Sequence, residues 1–246
     1  MGFEYDPVPR SVTQLLDETV SLMRRRAGVV TMLCVLPLIL VETLTTPLMQ
    51  SADPEDSWLA QVLAFGPGFV AYVVLQGFPV YLLTWMLAEE LSGRAPTRQD
   101  GGAVMLREAP RIAWTHLLWG VLYVAGFAAF VLPMFWVLLA YFVSIPVMCV
   151  EERFGWTALR RSQTLMKGAK RRVLVVLLLW FMLVGAAEAT VGTVTDDGAM
   201  TTLLRSVATS LLAAYLNVFA LLFYVDLRIR SESFDLELFA RRVRAV

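Results

Sequence analysis

Long apolar runs, separated by short clusters of charge, dominate this sequence, and a run of that kind has few structural options. Crossing the ~30 Å hydrocarbon layer of a bilayer as a helix takes about 20 mostly apolar residues. Six runs meet that length, at residues 27–49, 59–88, 112–132, 134–150, 173–194 and 200–225. In hydrocarbon every backbone N–H and C=O must be satisfied inside the protein, which leaves helices or closed barrels. Runs this long and continuous predict helices. Composition agrees, since 58% of the 246 residues are hydrophobic and 17% charged, unlike a soluble domain. The sequence therefore reads as an all-α, polytopic membrane protein forming one membrane domain.

The net charge of zero hides a segregation. With six crossings, Arg10, Arg24, Arg25, Arg26, Arg94, Arg98, Arg107, Arg111, Arg153, Arg160, Arg161, Lys167, Lys170, Arg171, Arg172, Arg228, Arg230, Arg241, Arg242 and Arg244 share one side, and only Arg205 is left over. The other side receives the acidic loops at residues 53–56 and 196–197. The positive-inside rule then predicts cytoplasmic N- and C-termini, with a cytoplasmic tail over 226–246. The third and fourth runs are expected to turn at Pro133; merging them would destroy the segregation. Trp58 and Trp136 are expected near the outer interface, and Trp85, Trp114 and Trp156 near the inner one. No cleavable apolar leader is read at the N-terminus. Cys34 and Cys149 lie within apolar runs and read as small hydrophobes.

Two stretches between the spans carry helical amphipathic patterns. Over 11–26, Val12, Leu15, Leu16, Thr19 and Met23 share a face, and over 156–168 Trp156, Leu159 and Met166 oppose Arg160, Arg161 and Lys167. Both are expected to lie flat on the inner leaflet. Ser21-Leu22-Met23-Arg24 resembles Thr164-Leu165-Met166-Lys167, and a weaker counterpart spans residues 103–107. Three units of interfacial helix plus hairpin, related about the membrane normal, are the reading.

The second half reads Ile145-Pro146-Val147-Met148-Cys149-Val150-Glu151, then Ala158-Leu159-Arg160-Arg161-Ser162 and Leu165-Met166-Lys167-Gly168. It closes with Leu222-Phe223-Tyr224-Val225-Asp226-Leu227-Arg228-Ile229-Arg230 and Phe234-Asp235-Leu236-Glu237. This resembles the bacterial membrane domain fused or related to glycerophosphodiester phosphodiesterases, and the opening residues 3–12 look like stand-alone relatives. The resemblance implies a six-helix domain with interfacial helices in the bacterial cytoplasmic membrane. It does not imply the esterase activity, whose paired histidines and metal-binding carboxylates have no counterparts in a chain with one histidine.

No two-histidine zinc motif, phosphate-binding glycine loop or Gly-x-Ser-x-Gly elbow occurs, so neither metal, cofactor nor catalytic residues are assigned. Basic clusters so placed are topological and point away from nucleic acid. Expected partners are membrane lipids and a membrane protein, with oligomers open.

Intramembrane charges are the leading site candidates, since each costs roughly 2.5–3.5 kcal/mol at the bilayer centre. Glu188 and Arg205 reach similar depths on neighbouring spans, with Glu42 comparable in the first, so a Glu42, Glu188, Arg205 cluster is expected, as either a structural ion pair or a substrate site. Pro79 and Pro146 are read as interruptions of their helices, either ordinary kinks or breaks that line a cavity. His116 reads as a bundle residue. At the inner ends of the spans a network of Glu151, Arg160, Arg161, Asp226 and Arg228 is expected, pairing Asp226 with Arg160 or Arg161 and Glu151 with Arg228. Lys167, Lys170, Arg171 and Arg172 are candidates for lipid headgroups. A non-enzymatic module that scaffolds or regulates a partner and binds lipid is the first functional reading; a small transporter or channel using the intramembrane charges is the other. A cavity reaching that charge cluster would favour transport, and a packed bundle the scaffold.

Overall fold

The computed structural model describes residues 8–49, 57–129, 131–194 and 198–232. The acidic loops at 53–56 and 196–197, the opening motif before Val8 and the tail from residue 233 lie outside the described residues. The described residues are helical and contain no strand. Six helical segments are long and apolar enough to cross a membrane: Ala27–Thr45, Ala60–Leu91, Gln99–Ala129, Leu132–Glu151, Lys170–Thr193 and Met200–Glu232.

Helix α1 (Val12–Arg25) opens with a capping box in which the Ser11 hydroxyl accepts from the Gln14 amide and the Gln14 side chain accepts from the Ser11 amide. It buries Leu15, Thr19 and Leu22 and crosses one end of the bundle. Arg10 at its start meets Asp226, and Arg26 beyond its end lies 2.9 Å from Glu90. We call this the basic end. The first span comprises α2 (Ala27–Val30), a π-helical turn (Thr31–Val35) and α3 (Leu36–Met49). The turn ends two residues before Pro37, whose ring disfavours a regular i→i−4 ladder there, and the Leu36 amide bonds Thr31 O instead.

Helix α4 (Trp58–Leu91) runs unbroken through Pro67 and Pro79, so of the two readings of Pro79 the break does not occur. Membrane helices tolerate proline where neighbours re-satisfy the freed backbone groups. Helix α5 (Arg98–Ala129) is also continuous, through Pro110. The stretch at 103–107 is therefore the first part of a span and not a separate interfacial helix, and the middle unit lacks the break that the outer two units have.

The fourth run departs most from expectation. Helix α6 (Val131–Ala140) begins before Pro133, which sits in its first turn where a missing N–H is harmless, so the hairpin turn precedes that proline. Gly126 permits the close return, since a Cβ there would lie 3.0 Å from Met134 N. The chain then breaks over residues 141–143 and restarts as α7 (Ser144–Glu151) with Pro146 in the first turn. Trp136 lies under the Lys170 ammonium at 5.0 Å, which ties it to the start of α9 and the basic end, not the far interface.

After a turn using Glu152 (φ 53°) and Gly155 (φ 62°), α8 (Trp156–Leu165) folds back onto the bundle. Its apolar face packs on the protein: Ala158, Leu159, Ser162 and Leu165 are buried, with Leu159 packed against Val137, Ala140 and Tyr141. The Ser162 hydroxyl donates to Ala140 O at 3.1 Å, covering a carbonyl freed where α6 ends. Helices α9 (Lys170–Val194) and α10 (Ala199–Glu232) form the last hairpin, joined by the Trp180 indole N–H donating to Leu212 O at 3.1 Å.

Helices α4 and α5 approach closely where the His116 ring fills the space left by the absent side chain of Gly77; a Cβ there would approach the ring to 2.5 Å. Gly77→Ala should lower thermal stability in detergent by about 1–3 kcal/mol, and Gly77→Ala/His116→Ala should recover part of it. Equal melting temperatures for wild type and Gly77→Ala would contradict this packing.

Candidate functional site

A half-enclosed cavity of about 280 Å³ lies between α4, α5, α7, α9 and α10, beside the break over 141–143. Aromatic and aliphatic groups make most of its wall, including Phe69, Tyr72, Trp119, Tyr123 and Trp180. Into it face the polar side chains of Gln76, Thr115, His116, Ser144 and Asn217. Thr115 is satisfied, donating to Arg111 O at 2.8 Å and accepting from the Gly155 amide at 2.6 Å. Asn217 Nδ2 donates to Ala213 O at 2.7 Å, and His116 Nδ1 lies 2.9 Å from Ile112 O. Gln76 and the Ser144 hydroxyl have no hydrogen-bond partner among the described residues. Neither Pro79 nor Pro146 lines the cavity; their neighbours Val80, Gly77 and Ile145 do.

The charge cluster lies elsewhere. Arg205 Nε is 3.2 Å from Glu188, and the two side chains are 42% and 41% exposed, so the pair faces the perimeter of the bundle. Glu42 accepts from the Thr209 hydroxyl at 2.9 and 3.1 Å, one turn along α10 from Arg205. The three residues are thus neighbours, but none lines the cavity.

At the basic end two carboxylates gather the cations. Asp226 is 1% exposed. Its Oδ2 accepts from Arg172 Nη1 at 2.8 Å and Arg230 Nε at 2.9 Å, and its Oδ1 from the Arg10 amide at 2.8 Å. Both guanidinium groups also donate to Arg10 O, at 2.9 and 2.8 Å. The expected partners Arg160 and Arg161 are not those found. Arg160 sits on the exposed side of α8, whereas Arg172 reaches over the Phe223 ring, 5.1 Å away, to the face of α10 that carries Asp226. The second carboxylate, Glu151, accepts from Arg161 Nε at 2.9 Å on both oxygens, lies 3.1 Å from Arg153 Nε, and accepts from the Tyr224 hydroxyl at 3.0 Å. Arg228, expected on Glu151, bonds Glu232 at 2.9 Å and Tyr224 Oη at 3.3 Å, and the Tyr224 hydroxyl in turn donates to Glu151. Burial works against the Arg161 charge, but hydrogen bonds to Glu232 and Glu151 outweigh it and hold its pKa above the ordinary arginine value.

Of the headgroup candidates, Lys167 and Arg171 are exposed, Lys170 lies over Trp136, and Arg172 is committed to Asp226. The sequence reading missed Gln76, Ser144 and Asn217. Polar amides and hydroxyls inside apolar runs were the available signal, weaker than that of a charge.

Comparison of the chain with family models, curated proteins and solved structures gives no match. Functional assignment rests on the geometry.

Removing one member of a buried ionic group costs about 3–5 kcal/mol. Asp226→Ala should lose on that order of stability and expose the N-terminal segment to protease, while Arg160→Ala should match wild type in both assays. At the perimeter, exchanging Glu188 and Arg205 should restore the stability lost in either single reversal; two silent single variants would show that the pair contributes nothing.

Proposed function

We propose that this chain is a non-enzymatic module of the bacterial cytoplasmic membrane, with both termini cytoplasmic, that binds a lipid or lipid-like molecule within its bundle and docks with or regulates a membrane partner. The observation that carries the reading is the half-enclosed cavity beside the α6/α7 break. Its volume is near the lower end of small-molecule sites, ~300–1,000 Å³, and its apolar walls with a few polar groups suit an amphiphile.

The orientation follows the positive-inside rule, since the basic end collects Arg10, Arg26, Arg153, Arg172, Arg228 and Arg230. On the same reasoning α1 lies at the inner interface, and the exposed Arg160, Lys167 and Arg171 attract anionic headgroups by about 1 kcal/mol each. The resemblance to the membrane domain associated with glycerophosphodiester phosphodiesterases supports reading these residues as a membrane module.

A second reading, a small transporter, draws on the intramembrane charges Glu42, Glu188 and Arg205, which an ion pair and Thr209 bring together on neighbouring helices. Native mass spectrometry of gently solubilised wild type should show a retained lipid or small molecule. Ala213→Phe, which fills the cavity, should abolish it without changing the melting temperature. Absence of any adduct from wild type, or one indifferent to the plug, would refute ligand binding at this site. Proton leak in proteoliposomes separates the two readings: the module gives none, whereas a leak removed by Glu42→Gln would establish transport.

A further inference from the structure

The cavity has a polar pole, and its hydrogen-bonding polarity limits what can occupy it. Cys149 Sγ donates to Tyr81 O at 3.6 Å, fixing α7 against α4. Both helices run toward the basic end, so four residues earlier Ile145 comes level with Gly77, the residue against which the His116 ring packs. Gln76, His116, Ser144 and the start of α7 therefore share one level of the bundle.

Each group there has a defined role. The Ile112 carbonyl can only accept, so His116 Nδ1 carries the hydrogen at their 2.9 Å contact, and Nε2 of the neutral ring is left as a lone-pair acceptor. His116 and Ser144 are 7% and 8% exposed, and neither Nε2 nor the Ser144 hydroxyl has a protein partner among the described residues. A first-turn amide has no intrahelical acceptor, which leaves the Ile145 N–H as a donor, and Pro146 after it contributes none. His116 and Ser144 line the cavity, so these atoms are left to bond a group that enters it. That group must donate to an imidazole nitrogen and accept from a hydroxyl or amide at once. A hydroxyl or a carboxylic acid does both; an ester, ether or phosphodiester offers acceptors alone, and a quaternary ammonium offers neither.

Volume narrows the class further. The cavity has room for about nine water-sized groups at ~30 Å³ each, enough for a head and the first part of one chain, with the remainder leaving by the open side. Building on the ligand-binding reading above, we infer that His116, Ser144 and the Ile145 amide receive the O–H-bearing head of a single-chain amphiphile, a free fatty acid or its monoglyceride.

Delipidated full-length protein in detergent is titrated with stearic acid, monostearin and methyl stearate, with binding read by native mass spectrometry. The acid or the monoglyceride should bind one to one, and whichever binds more tightly identifies the source of the O–H group. Methyl stearate, with the same chain and no O–H, should bind about tenfold more weakly or less well still. His116→Phe, which keeps a ring against Gly77, and Ser144→Ala should each weaken the O–H ligand about tenfold and leave methyl stearate unchanged. Methyl stearate binding as tightly as the acid, or O–H ligands indifferent to both variants, overturns this assignment while leaving a lipid-binding cavity intact. Binding of none of the three also overturns it, and the copurifying adduct then decides the broader proposal separately.

Discussion

A carboxylate sealed from solvent at one end of an apolar bundle has to be matched in charge and in hydrogen bonds, and Asp226 is matched from three parts of the chain at once. The Arg10 peptide, Arg172 at the start of α9 and Arg230 on α10 converge on it. This junction fastens the start of α9, beside the buried Val173, Val176 and Leu177. Leu178, Met182 and Leu183 leave much of that helix exposed, and further along it the Trp180 indole donates to Leu212 O on α10. Glu151 does the same for α7, α8 and α10 through Arg161 and Tyr224. Together the two junctions fasten the basic end, while the charges toward the other end, Glu188 and Arg205, meet at the perimeter with much of each side chain open.

The break between α6 and α7 follows from the same rule applied to the backbone. A helix interrupted within the bilayer leaves carbonyls and amides in need of partners. The carbonyl side is met by protein, since α8 folds back and Ser162 covers Ala140 O. On the amide side Ser144 N–H donates to Tyr141 O and Val147 N–H to Val143 O, both at 3.1 Å, and Pro146 has no N–H, which leaves the Ile145 amide beside the cavity.

Six crossings were legible because length and apolarity set them directly, and the boundaries of the last two spans fall close to the charges that bracket them. The proximity of Glu42, Glu188 and Arg205 was also legible, since helical rise turns loop distance into depth. The interruption at 141–143 was not: Tyr141, Phe142 and Val143 contain neither glycine nor proline, and the nearby Pro146 sits inside the new helix instead of ending the old one. Charge pairing at the basic end was legible as a neighbourhood only. Arg172 sits in a run of basic residues suited to headgroups, and its commitment to Asp226 depends on how α9 packs across Phe223. The polar pole was hidden for a related reason. Each of its members is an ordinary residue alone, and only the pairing of α7 with α4 brings them level.

The junction at Asp226 engages residue 10 through its peptide N–H and C=O. Any amino acid with a main-chain amide presents those two atoms, so the constraint on that position is conformational and falls on proline alone. Divergent sequences could keep this fastening while sharing no side chain at that site, and a comparison of residue identities would pass over one of the strongest points of the architecture.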